Sequence, residues 1–197
     1  MEAKSPALHP SDVTRVQLKN EIVRRKTRRR FFTIIRRILF TLAVVAAFAV
    51  LVAVLLLPVL RIYGHSMNQT LDEGDIVVSV KGGDFETGDI ISFYYNNKLL
   101  VKRVIGTAGD WIDIDSSGNV YVNQVLLDEP YVTDKSLGDA NITFPYQVPD
   151  SRVFVLGDNR PVSVDSRNTS IGCVYEEQIV GKIVFRVWPL SKFGPVS

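Results

Sequence analysis

The stretch YGHSMNQTL, residues 63–71, places Ser66 between a glycine–histidine pair and a methionine, a few residues after a very apolar segment. A serine hydroxyl is a weak nucleophile near neutral pH and needs an adjacent base to take its proton. Histidine and lysine are the two residue types here that can act as that base. The sequence therefore indicates a candidate nucleophile and leaves its base to be found.

Neither of the two histidines suits this role. His9 lies in the N-terminal tail, on the other side of the membrane span predicted below. His65 directly precedes Ser66, and in an extended backbone successive side chains point to opposite faces. A Ser-His-Asp triad is therefore not expected.

A lysine can serve as a base only where burial lowers its pKa by several units. Lys102 lies in LLVKRVIG, residues 99–106, with apolar residues on both sides. Its neighbour Arg103 cannot lose its proton in a protein and is excluded as the base. Position alone leaves two interpretations of Lys102 open, a buried base or a solvent-facing lysine on an amphipathic strand.

Residues 38–60 form an uncharged apolar run in which Thr41 is the only polar side chain. At about 1.5 Å per residue, a helix of this length crosses the roughly 30 Å hydrocarbon core of a bilayer. The small residues of AFA, 47–49, resemble a cleavage site, but apolar residues continue past them, interrupted by Pro58, up to Arg61. The run is therefore predicted to be an uncleaved transmembrane anchor.

Charge is distributed very unevenly around this run. Residues 1–37 hold 11 Lys/Arg and 3 Asp/Glu, whereas the other 160 residues hold 12 and 18. By the positive-inside bias, 1–37 is predicted to be a basic cytoplasmic tail and 61–197 an extracytoplasmic domain. The basic cluster adjoins the span, which favours anionic lipid over nucleic acid as its contact.

The part after the span reads as short strands rich in Val, Ile, Phe and Tyr, separated by turns of Gly, Asn, Asp and Pro. The expected fold class is mainly β: one transmembrane helix followed by an antiparallel, barrel-like sheet. Residues 111–150 are a candidate small subdomain or insertion, of which 128–150 is expected to be a long loop. Residues 1–30 are expected to lack regular structure, and Phe93, Tyr94 and Tyr95 are candidates for an exposed contact with lipid.

A single cysteine, Cys173, allows no internal disulfide and reads as a small core residue. One cysteine and one histidine beyond the span cannot build a metal site, so neither metal nor cofactor is expected. Asn68, a glycosylation sequon, is two residues from Ser66. If Ser66 is catalytic, a glycan there would obstruct it, which favours a bacterial envelope.

Three motifs in order resemble those of type I signal peptidases, the Ser-Lys membrane proteases. GHSMNQTL resembles their serine motif, KRVIGTAGD their lysine motif, and GDNRPVSVDSR, residues 157–167, fits their third motif at every fixed position. Gln69 and Ala108 stand where the family usually has proline, which puts the rigidity of both loops in question. The resemblance covers residues 64–167 and the predicted topology.

The resemblance implies a role for each matching residue. Ser66 would be the nucleophile and Lys102 the neutral general base that later protonates the leaving amine. Ser163 would hydrogen-bond the Lys102 amine and orient it. Asp165 and Arg167 would form a structural ion pair beneath the site, although the third motif also reads as an ordinary polar turn.

The resemblance also bears on the oxyanion and the substrate. The Ser66 N–H would be one oxyanion donor. Some members add a serine where this chain has Gly64, so a backbone or water donor is expected, as in the Gram-positive-like subset. Family members cut after small residues at −1 and −3, and Ile62, Tyr63 and Val101 are candidate pocket walls, with plain core packing as the alternative.

The expected function is removal of signal peptides from exported preproteins by a single-pass protease of the bacterial cell membrane. Secretory preproteins and the lipid bilayer are the expected partners, with the export machinery as a further candidate and no nucleic acid. Three alternatives remain: a processing or assembly peptidase for one substrate class such as pilins, a preprotein-binding β domain without activity, and a self-cleaving Ser-Lys regulator. The anchor argues against the last of these.

Overall fold

In the computed structural model, which describes residues 10–196, the chain divides into two units that meet between Ala53 and Val54. Among the described residues, the first unit is formed by one α-helix, α1, Pro10–Leu56, whose last three residues belong to the second unit. Its stretch Ile22–Val52 is long and apolar enough to cross a membrane. The expected irregular tail is wrong from Pro10 onward, because the basic residues continue the helix.

The apolar run 38–60 is helical only as far as Leu56, and its last two residues begin the first strand. Within the helix, the hydroxyl of Thr41 donates to the carbonyl of Arg37 at 2.9 Å. This bond satisfies the one polar side chain of the run without a partner from another element.

Among its described residues, the second unit contains twelve strands and two short 3-10 helices, as expected for a mainly β domain. The strands are β1 Val59–Arg61, β2 Ile76–Val80, β3 Ile90–Tyr95, β4 Lys98–Gly106, β5 Trp111–Ile114, β6 Val120–Val122, β7 Val125–Leu126, β8 Tyr146–Gln147, β9 Arg152–Leu156, β10 Val174–Tyr175, β11 Ile179–Trp188 and β12 Gly194–Pro195. The 3-10 helices are Glu176–Gln178 and Leu190–Lys192.

These strands form two sheets with antiparallel pairing throughout. The larger sheet has the order β1-β2-β11-β3-β4-β9-β10, with β12 added beside β11. The smaller sheet has the order β7-β6-β5-β8. All its strands come from the segment 111–150 that the sequence marks as a candidate subdomain, and β8 lies in the part expected to be loop.

Three clusters of buried apolar side chains hold this unit together. One joins the two sheets and includes Ile105, Ile112 and Phe154. A second packs around the serine motif through Met67 and Leu71. The third, on β3, β4 and β9, contains Phe93, which is 1% exposed. The prediction of Phe93 as an exposed lipid contact is therefore wrong, because its side chain belongs to the core.

Candidate active site

Ser66 lies in a turn just after β1, and buried residues of this turn anchor it to the core. The N–H of Asn68 donates to the carbonyl of His65 at 3.2 Å, and that of Leu71 to the carbonyl of Met67 at 2.8 Å. Met67 and Leu71 are buried, whereas Ser66 between the turn and the surface stays partly accessible. The sequence folds this way because the apolar side chains of Met67 and Leu71 pack into the core and fix the turn.

His65 is turned toward solvent. Its side chain is 64% exposed, and its Nε2 lies 3.3 Å from a carboxylate oxygen of Glu73, which is exposed as well. The expectation that this histidine faces away from the serine hydroxyl agrees with this contact.

Gly64 adopts φ +83°, in the left-handed region, with open space where a Cβ would stand. Glycine reaches this conformation without steric cost, whereas a serine side chain there would be strained. The backbone of this turn therefore favours glycine at the position where some relatives are expected to carry a second oxyanion donor.

Lys102 lies in the middle of β4 and is 4% exposed. Burial lowers the pKa of its amine from the usual 10.5 to about 8, while the carboxylate of Asp165 raises it and the guanidinium of Arg167 lowers it. Of the two interpretations that position left open, the solvent-facing lysine is excluded. With this pKa, roughly a tenth of the amines are neutral at pH 7 and about half at pH 8.

The third motif approaches the serine turn at Gly157. A Cβ placed on this glycine would lie 2.5 Å from the Ser66 carbonyl oxygen and 2.2 Å from the Ser163 hydroxyl. The N–H of Asn159 donates to the same Ser66 carbonyl at 3.0 Å. Only glycine permits this approach, which brings Ser66 and Ser163 to one place.

Strand register brings Lys102 to that place as well. In the β4–β9 pair, Arg103 lies opposite Leu156 and Val104 opposite Val155. Continuing this antiparallel register by one residue sets Lys102 opposite Gly157. The serine turn, the lysine and the third motif thus converge on Gly157.

Asp165 and Arg167 form an ion pair in which both side chains are at most 1% exposed. Arg167 Nε donates to Asp165 Oδ1 at 2.8 Å, and its Nη2 to Oδ2 at 2.8 Å. Asp165 Oδ2 also accepts the N–H of Gly157 at 3.0 Å. The pair therefore fixes the backbone at the point of convergence.

Ser163 Oγ is buried and has no hydrogen-bond partner among the described residues. The expected bond between this hydroxyl and the Lys102 amine is thus not formed in this structure. A buried hydroxyl without a partner costs free energy on the order of 1–3 kcal/mol. The stability of the fold therefore does not account for a serine hydroxyl next to Gly157.

An apolar groove of about 670 Å³ opens beside Ser66. Its walls come from the segment running from β1 to the serine turn and from the first half of β4. Ile62, Tyr63 and Val101, the predicted pocket walls, all line it. Ile62 is 4% exposed and belongs to the core, whereas Tyr63 is 75% exposed.

Sequence reasoning missed a second buried charge pair, between Arg103 and Asp158. Arg103 Nε and Nη2 donate to the Asp158 carboxylate at 3.0 and 2.8 Å. Thr70 Oγ1 donates to the same carboxylate at 2.5 Å, which ties the end of the serine motif to the third. The signal was an arginine in an apolar strand, which requires a buried anion.

Gln69 and Ala108, which stand where the family usually has proline, both lie in turns. Ala108 lies in a turn closed by the Asp110 N–H, which donates to the Thr107 carbonyl, and by the Asp110 carboxylate, which accepts the Thr107 N–H. Gln69 adopts φ +85°, which the ring of proline forbids. At Gln69 the loop therefore has a conformation that no chain with proline there can share.

Cys173 is 6% exposed, and burial raises the pKa of its thiol to about 11. A thiol that stays protonated is a poor nucleophile. This agrees with its interpretation as a core residue.

Comparison with known proteins adds a family to this geometry. The sequence model described as "Signal peptidase, peptidase S26" matches residues 34–188. Signal peptidase IB of Staphylococcus aureus strain COL is 40% identical over 153 residues, covering 67% of this chain and 78% of that protein. Thylakoidal processing peptidase 1 of Arabidopsis thaliana chloroplasts is 37% identical over 144 residues, covering 64% of this chain and 41% of that protein.

A crystal structure of a signal peptidase I from Enterococcus faecalis V583 is 31% identical and superposes with a TM-score of 0.42. The match covers 51% of this chain and 97% of that one. The family match and the S. aureus relative confirm the family predicted from the three motifs.

Proposed function

The chain belongs to the signal peptidase family, peptidase S26, and we propose that it hydrolyses preproteins after small residues with Ser66 as nucleophile and Lys102 as general base. The observation that carries this proposal is the buried Lys102, whose pKa is about 8, on a strand whose register sets it opposite Gly157, where the third motif meets the serine turn. Signal peptide removal itself follows from the family; the residue roles, the specificity and the topology are the proposal.

In the first step, neutral Lys102 accepts the Ser66 proton while Oγ attacks the carbonyl carbon of the scissile bond. The resulting tetrahedral intermediate collapses, and the ammonium of Lys102 protonates the leaving amine. An ester between Ser66 and the signal peptide remains. Water then attacks this ester, Lys102 accepts the water's proton, and Ser66 recovers its hydroxyl as the peptide carboxylate leaves.

The oxyanion of each tetrahedral intermediate needs preorganised donors. The resemblance to the family assigns one such donor to the Ser66 N–H, and the Asn159 N–H, which donates to the Ser66 carbonyl at 3.0 Å, holds the backbone of this residue in place. Ser163, whose buried hydroxyl has no hydrogen-bond partner among the described residues, is proposed to orient the Lys102 amine once substrate enters. Such an orienting group matches the third member of a catalytic triad.

The groove beside Ser66 accounts for the proposed specificity. Its apolar lining suits an extended peptide whose alternate side chains face the wall formed by Ile62, Tyr63 and Val101. Ile62 belongs to the close-packed core and cannot yield to a large side chain without strain. We therefore propose that the groove accepts small residues at −1 and −3.

We place the second unit outside the cytoplasm of a bacterial cell, with helix α1 as the anchor. This topology rests on the basic residues ahead of the apolar run 38–60 and on the positive-inside bias. An anchored enzyme meets membrane-bound preproteins at a raised effective concentration. The bilayer and the export machinery are proposed partners on the same ground.

The test is cleavage by the full chain in detergent micelles of two preproteins that differ only at −1, with Ala at −3 in both. We expect cutting directly after Ala at −1, seen by sequencing the new N-terminus. Phe at −1 is expected to lower kcat/KM at least about 100-fold, because it must overpack the groove wall. Equal cleavage of the two substrates would contradict the proposed specificity.

A further inference from the structure

The segment Glu129–Pro130–Tyr131, between β7 and β8, contacts two buried arginines of the catalytic motifs. Glu129 is 5% exposed and lies against Arg160 of the third motif. The ring of Tyr131 stacks on Arg103 of the lysine motif, with the guanidinium carbon 3.8 Å from the ring centre. The segment therefore joins the lysine motif and the third motif from a loop outside both.

The contact between Glu129 and Arg160 is bidentate. Arg160 Nη2 donates to Glu129 Oε1 at 2.5 Å and Nη1 to Oε2 at 3.4 Å. Both side chains are at most 1% exposed. A guanidinium held at two nitrogens by one carboxylate has a fixed plane, and its third nitrogen, Nε, then has a fixed direction.

That third nitrogen reaches the point where the catalytic motifs converge. Arg160 Nε donates to the carbonyl of Gly157 at 3.0 Å. The N–H of the same glycine donates to Asp165 at 3.0 Å. Gly157 is thus held at both its polar groups, within van der Waals reach of the Ser66 carbonyl and the Ser163 hydroxyl.

We propose that Glu129 is a positioning residue for catalysis, which orients Arg160 so that its hydrogen bond to Gly157 sets the third motif against the nucleophile turn. This inference rests on the proposed Ser66–Lys102 mechanism. Glu129 touches neither substrate nor the reacting atoms, and the groove does not include it. Its loss should therefore lower kcat and leave KM unchanged.

The experiment measures kcat and KM for a preprotein, together with Tm, on the full chain in detergent micelles. Glu129→Gln keeps the size of the side chain and removes its charge. Asp128→Asn is the matched control, since it makes the same charge change at the exposed neighbouring position. We expect E129Q to lower kcat by about 10- to 100-fold, as for a displacement of reacting groups by roughly 1 Å, with KM within about twofold, and D128N to change neither.

Loss of a buried ion-pair partner also destabilises the fold, so a second variant separates stability from positioning. Glu129→Leu with Arg160→Met replaces the pair by apolar side chains, an exchange that is often neutral for stability. We expect this double variant to regain the Tm of the parent and to keep a low kcat, because Gly157 still lacks its donor. This comparison holds even if E129Q does not fold.

Recovery of kcat together with Tm in the double variant would overturn the inference, as would parental kcat in folded E129Q or a loss confined to KM. Ser66→Ala is run beside these variants. An inactive parent, or an active S66A, would count against the proposed function. An active parent with an inactive S66A and a fully active E129Q would count against the role of Glu129 alone.

Discussion

Replacing Lys102 with methionine is expected to lower kcat for preprotein cleavage by roughly 10⁴-fold or more, comparable to the loss of a member of a catalytic triad. Methionine fills the space of the lysine stem and has no basic group, so Ser66 would keep its proton. The buried position makes methionine compatible with the fold. The measurement is single-turnover cleavage at pH 8, with folding checked by Tm.

Two further variants test whether Lys102 acts together with Ser66 and without His65. Ser66→Ala should be as inactive as Lys102→Met, and combining the two should cost little more, because the groups act as one unit. His65→Ala should retain cleavage within about threefold, since the histidine is exposed and lies beside Glu73. An inactive His65→Ala beside an active Lys102→Met would show that the base assignment is wrong.

Replacing Asp165 with asparagine is expected to destabilise the second unit by about 3–5 kcal/mol, the usual cost of leaving a buried charge without its partner. Arg167 would remain 1% exposed with no carboxylate opposite it. Its bonds to the carbonyls of Ser136 and Leu137 would persist, but they do not neutralise a charge. Chemical denaturation in detergent measures the loss.

Asp150→Asn is the control for this variant, because it makes the same charge change at an exposed position. It is expected to shift stability by less than about 0.5 kcal/mol. If Asp165→Asn were no less stable than Asp150→Asn, the ion pair would not hold the third motif. Folded Asp165→Asn should also have a lower Lys102 pKa than the parent, because the Asp165 carboxylate raises it.

Local sequence patterns predicted the strands well. Val- and Ile-rich runs between turns correspond to β2, β3, β4, β9 and β11. The expectation that the basic tail lacks regular structure is wrong from Pro10 onward, because Lys and Arg are good helix formers and continue α1 without a break. The high charge of the tail suggests a lack of structure, but the helix propensity of its residues favours the helix.

The residues adjacent to Lys102 in the sequence do not determine whether its side chain is buried. An apolar strand with one lysine fits a buried or an exposed side chain equally well. Burial depends on the pairing of β4 with β9 and on the third motif, more than fifty residues later. The same holds for Phe93, whose aromatic neighbours are more exposed while its own ring fills the core.

The contact between Glu129 and Arg160 could not be predicted from the sequence either. The segment of Glu129 has no strand or helix period, which predicts a loop. A buried arginine needs an anion as its partner, and this holds for Arg103 and Arg160. The residues near them in the sequence do not identify which carboxylate pairs with either. Only the fold shows that Glu129 meets Arg160 and Asp158 meets Arg103.

The dependence of kcat/KM on pH reports the ionisation of the base in the free enzyme. Lys102 accepts a proton only when neutral, and its pKa is lowered from 10.5 to about 8. Activity should therefore be low at pH 6, rise about tenfold up to pH 7, reach half of its maximum near pH 8 and level off above about pH 9. A rise centred near pH 6.5, the usual range of histidine, or no rise at all between pH 6 and 9, would contradict Lys102 as the base.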